Sequence, residues 1–125
     1  MTRNVESGDV ASDAVNTAVA FSYLETAKIS LTDAASFIRL SGRDPKSVID
    51  AVLRGFEKKV GTFPLSCPVS PQLLTLGVSK YRECNISDYR ITYDYDDKSK
   101  IVSVYVILHH KQDVKELLFR RLIQP

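Results

Sequence analysis

Residues 81–113 read YRECNISDYRITYDYDDKSKIVSVYVILHHKQD, a stretch in which β-branched and aromatic runs are separated by short polar breaks. That composition favours pleated, half-buried backbone over helix. It predicts strands over residues 80–86, 88–94 and 101–109, with Asp96, Asp97, Lys98 and Ser99 as the second turn. Links this short leave no room for a crossover, so the three strands form an antiparallel meander. Counting by twos along the last strand puts Ile101, Tyr105 and Ile107 on one face and Val102, Val104, Val106 and Leu108 on the other. Both sets are apolar, so this strand is expected to be central and covered twice.

What covers it is encoded upstream. Leu24, Ala27, Leu31, Ala34, Ala35 and Ile38 recur at three- and four-residue steps, one stripe of a helix that stops at Ser41-Gly42. Asp44-Pro45 reads as an N-cap with proline at the first helical position. Val48, Ile49, Val52, Leu53, Phe56 and Val60 form the next stripe, and the two helices make an antiparallel hairpin. From Thr17 the run TAVAFSYL supplies a short edge strand with Val19, Phe21 and Tyr23 on one side. Between the halves, Pro64, Pro68 and Pro71 forbid a helix interior or central strand and predict a structured loop. The fold class is therefore α+β.

A hairpin of helices covers one sheet face only. The second must be shielded either by the tail, where Val114, Leu117, Leu118 and Leu122 have the spacing of a short C-terminal helix, or by a partner chain. Residues 1–16 lack apolar periodicity and read as a mobile extension, which leaves 17–125 as a single domain.

The chain's 125 residues suit one core, and 44% hydrophobic with 26% charged residues excludes collagen-like, disordered and disulfide-scaffold classes. No window is long and apolar enough to span a bilayer and the N-terminus is not a signal sequence, so a cytoplasmic location without membrane contact is expected. Residues 1–13 set Arg3 against Glu6, Asp9 and Asp13, a net of −2. The body is then near +4, too weak a charge to name nucleic acid as a partner. Cys67 and Cys84 read as free thiols. Zinc is not expected, because two cysteines plus two adjacent histidines that point oppositely on a strand make no four-ligand site. No metal or other cofactor is implied.

Taken in order, Phe63-Pro64 after the second helix, Tyr81-Arg82 opening a strand, DYRITY at 88–93 and ILHHKQD at 107–113 resemble the RelE/ParE superfamily of bacterial type II toxins over residues 18–118. The resemblance implies a toxin that causes growth arrest and is held inactive by a cognate antitoxin, in systems linked to plasmid stabilisation. It also implies one of two activities. RelE-like members cleave mRNA at the ribosome; ParE-like members bind and stall DNA gyrase without catalysis of their own.

RNA cleavage needs a base for the 2′-hydroxyl, an acid for the leaving oxygen, and cations for the phosphate. Lys80, Arg82 and Arg90 could serve as cations, with His109 or His110 as proton carrier. Against this, no tyrosine follows Tyr105 and the basic cluster of RelE-like sheets is thin. The ending His109-His110-Lys111-Gln112-Asp113 is closer to the ParE pattern, although Lys111 and Gln112 stand where arginine is commonest. The ParE-like reading is favoured. Its contact residues would be Arg82, Arg90, His110, Lys111, Asp113, Leu117, Leu118, Arg120 and Arg121, with gyrase and the antitoxin as partners; ribosome and mRNA are the alternative. Each residue also has a structural reading: one histidine as a hydrogen-bonded sheet-end residue, Arg82 and Arg90 paired with Glu83, Asp88 or Asp94, the tyrosines as packing, and Lys58-Lys59 as a favourable helix C-terminus.

Overall fold

A computed structural model describes residues 18–111. The elements in order are β1 (Ala20–Tyr23), α1 (Glu25–Leu40), α2 (Pro45–Thr62), α3 (Pro71–Thr75), β2 (Arg82–Ile86), β3 (Tyr89–Asp96) and β4 (Ile101–His109). They build one sheet in the order β1-β4-β3-β2, with β1 parallel to β4 and the remaining pairs antiparallel. The α+β class, the edge position of β1, the helical hairpin and the meander are as the sequence predicts. The extension over residues 1–16 and the tail helix lie outside the described residues.

The helix boundaries have local causes. Gly42 takes a φ of 84°, and amides of Gly42 and Arg43 close on Arg39 O and Ile38 O, the paired bonds of a Schellman stop. Two residues later Asp44 starts α2: its carboxylate accepts from Ser47 N at 3.2 Å and Ser47 Oγ at 2.7 Å, bonds that hold the acid below its ordinary range. The proline loop is more regular than expected. Ser70 caps the five-residue α3 by accepting from Leu73 N, and Pro71 sits at its first turn, where a missing N–H costs nothing.

Ala27, Ala34 and Ile38 of α1 and Val52, Phe56 and Val60 of α2 pack on Ile91, Tyr93, Val102, Val104 and Ile107. Phe56 is central, meeting Phe21 and Tyr93 edge to face at 5.7 and 5.6 Å.

Strict alternation fails in β4. Tyr93 pairs with Val104 but Thr92 pairs with Val106, so Tyr105 is an extra residue, a bulge. The insertion shifts the parity of every later residue in the strand. Val102, Val104 and Ile107 therefore share the helix-covered face, where counting by twos had separated Ile107 from the two valines. Leu108 is also buried but stands outside that cluster. Beyond Val104 the partner β1 has ended, and the Ile107 amide donates instead to the buried Ser30 Oγ of α1 at 2.9 Å.

Candidate functional site

Cross-strand pairing assigns each polar residue of β2 and β3 to a face. Arg82, Cys84 and Ile86 stand opposite Tyr93, Ile91 and Tyr89, so they belong to the helix-covered side. Glu83 and Asn85 pair with Thr92 and Arg90, so these four belong to the other side. Arg82 and Arg90, grouped in the sequence as one set of cations, thus leave opposite faces of the sheet.

Their partners differ accordingly. The Arg82 guanidinium donates to Cys67 O at 2.7 Å and Leu65 O at 3.4 Å, clamping the proline loop rather than pairing with the acids considered from sequence. Arg90 does pair with Glu83: Nε lies 2.7 Å from Glu83 Oε2, a contact of charge in which the N–H is not aimed at the oxygen. Ser70 Oγ donates to the other Glu83 oxygen at 3.1 Å, and an Arg90 nitrogen reaches Gln72 Oε1 at 3.4 Å. Nothing in the sequence linked Ser70 to Glu83.

Lys80 lies just before β2, on the side of the sheet away from the helices. Its ammonium is 3.7 Å from Asp94 and 5.2 Å from the Tyr81 ring centroid, and Tyr105 Oη donates to Asp94 at 3.3 Å. The phenols of Tyr81 and Tyr105, then Asp94, hold Lys80 above the ordinary lysine range. Burial, then Asp94, pushes the Tyr105 phenol up.

The two histidines end β4. His109 packs against Phe37 at 4.7 Å and Tyr89 at 5.1 Å on the helix side, and its Nδ1 accepts from Lys111 N at 3.1 Å. That bond puts the proton of the neutral ring on Nε2. Burial, and then His110, depress its pKa below the ordinary histidine value. His110 lies in the following turn with its backbone N–H donating to Asp88 O at 2.8 Å and Nδ1 3.9 Å from Asp88 Oδ1. The rings stack at 4.5 Å instead of pointing apart, because the strand stops at His109 and the chain turns. Among the described residues no group of three or more His, Cys, Asp or Glu is placed to hold a metal ion.

These groups do not converge. His109 pairs with Tyr89 and Arg82 with Tyr93, four residues apart along β3, roughly 13 Å at ~3.3 Å per residue. Lys80 and Asp94 lie at the Arg82 end and His110 at the other. Lys111 is exposed in the turn; Asp113, Leu117, Leu118, Arg120 and Arg121 lie outside the described residues. The sequence also did not single out an open cleft of about 410 Å³ beside α2, lined by Gly55, Lys58, Lys59, Thr62, Phe63 and Ser66.

Residues 21–114 match the model of the ParE toxin of the type II toxin–antitoxin system parDE. Among solved structures, the chain is similar to one in the toxin–antitoxin complex RelBE2 from Mycobacterium tuberculosis, at 18% identity and a TM-score of 0.54, covering 74% of this chain and 98% of that one. No curated protein matches. Among the described residues no helix is long and apolar enough to cross a membrane.

Proposed function

The chain belongs to the ParE toxin family of type II toxin–antitoxin systems, and from that premise we propose that it arrests growth by binding DNA gyrase and is neutralised by a cognate antitoxin. The observation that carries the choice of target is the division of Arg82 and Arg90 between opposite faces, each already engaged by Cys67 O or Glu83. A ribonuclease centre needs base, acid and cations within reach of one phosphate. An inhibitory binder needs only a complementary surface.

That surface is the exposed end of the sheet. His110 and Lys111 open it and Arg90 borders it; the contact residues we propose further along the sequence are Asp113, Leu117, Leu118, Arg120 and Arg121. Arg82 contributes by holding the proline loop in place. An antitoxin segment suits the exposed apolar side chains Phe63, Leu65, Leu74 and Leu76, which a solitary protein gains nothing by showing to water. The related solved fold comes from a toxin–antitoxin complex, which supports the same kind of partner here.

Purified protein assayed in parallel against gyrase supercoiling and ribosome-bound mRNA tests the reading. The expected result is loss of supercoiling with mRNA intact, reversed by the antitoxin. Cleavage of mRNA that His110→Ala abolishes, with gyrase unaffected, would overturn it in favour of a RelE-like endonuclease.

A further inference from the structure

The proline loop runs antiparallel along the outer edge of β2. Val69 bridges Arg82, Glu83 N donates to Pro68 O at 2.9 Å, and Ser70 N donates to Tyr81 O at 2.8 Å. Extending that register by one step would set Cys67 opposite Cys84, in the slot next to the hydrogen-bonded Pro68 and Glu83 pair. Slots of that kind bring Cα atoms to roughly 4.5 Å, within the ~4.4–6.8 Å that a disulfide spans. Both thiols are free, and both side chains lie in the buried core. After burial, the neighbouring Cys67 thiol is the next cause that pushes the Cys84 thiol up to about 12. They are the only cysteines in the chain.

We propose that Cys67 and Cys84 form an oxidation site, a cross-strand thiol pair that a low-molecular-weight disulfide converts to an intramolecular disulfide, stapling the proline loop to β2. One cysteine thiolate attacks the small disulfide, forming a mixed disulfide and releasing one small thiolate. The second cysteine then displaces the other. Two protein thiols are oxidised, one small disulfide is reduced to two thiols, and the two protons end on the released sulfurs.

Burial makes this slow in the closed protein, because it pushes the Cys84 thiol up and keeps oxidant from both sulfurs. The loop must first part from β2, breaking the Arg82 clamp on Cys67 O and the Tyr93 Oη bond to Pro64 O. The rate therefore follows loop opening, and the equilibrium follows the native geometry. The staple would fix the segment that presents Phe63 and Leu65, 68% and 60% exposed, to a partner.

The test equilibrates the full chain with mixtures of reduced and oxidised glutathione, in buffer and in denaturing urea, and reads the disulfide fraction by mass spectrometry after alkylation. Equilibrium is approached both from the reduced chain and from chain oxidised in urea and refolded, so that slow access is not mistaken for an unfavourable bond. The expected product is a monomer lighter by two hydrogens, with an equilibrium constant in buffer at least roughly tenfold above that in urea. Cys67→Ser and Cys84→Ser each abolish that product. A native-to-unfolded ratio at or below one would overturn the proposal, as would covalent dimers or persistent glutathione adducts as the native products.

Discussion

Under α1 and α2 the sheet presents Ile91, Tyr93, Val102, Val104 and Ile107, all almost wholly out of water. On the opposite face the same strands carry Glu83, Arg90, Thr92 and Asp94, half-buried or paired. Apolar burial is non-directional and roughly proportional to area, so the covered face fixes which elements pack together. Ion pairs near water contribute little to that choice. The covered face therefore holds the fold, and the polar residues opposite it add little to that choice. Arg82 shows how far this goes: its guanidinium leaves on the covered side and clamps the proline loop.

The comparison breaks first at Phe56. Phe56→Ala removes a ring with no exposed surface that touches Phe21 and Tyr93, and should lower unfolding free energy by about 3–5 kcal/mol in urea titrations. An unchanged midpoint would mean that the covered face is not where stability resides. Ser30→Ala comes next, about 1–3 kcal/mol, because it strands the buried Ile107 N–H that β1 is too short to pair. Ser30→Thr keeps the hydroxyl and should recover part of the loss if the bond, rather than side-chain volume, is responsible.

Glu83→Gln probes the open face. It removes the charge facing Arg90 while keeping an acceptor for Ser70 Oγ, and about 1–2 kcal/mol is expected, because Glu83 is buried while Arg90 keeps some contact with water. A double-mutant cycle with Arg90→Gln should return a coupling of similar size. A loss matching that of Phe56→Ala would erase the distinction between the faces.

Periodicity served the covered face well, since Ala27, Ala34 and Ile38 and then Val52, Phe56 and Val60 are buried where their spacing put them. Gly42 and Asp44 marked both helix ends because capping is local chemistry. What escaped was non-local. The bulge at Tyr105 leaves no mark in a run of alternating β-branched residues, yet it reverses the facing of every residue after it. The separation of Arg82 from Arg90 follows from register once the strands are paired, but their even spacing along the sequence hides it, because a hairpin turn at Ser87, with φ at 56°, intervenes. The Glu83–Ser70 contact and the facing cysteines depend on where a proline loop returns to the sheet, which composition does not specify.

His109 ends β4 on the helix side, and the smallest effect is expected there. Its ring is held by Phe37 and Tyr89, and burial together with His110 lowers its pKa, opposed by Asp88. A depressed folded-state value means that the unfolded chain takes up the proton first as pH falls below about 6.5. The group's contribution to stability is therefore present above that pH and is lost as pH falls through the lower folded value. In His109→Phe the ring contact remains and the titration does not, so the decline in unfolding free energy between about pH 7 and pH 5 should be shallower than in the parent chain. An NMR titration that places the His109 midpoint at or above its ordinary value would refute the claim and assign the ring to the solvated end of the sheet instead.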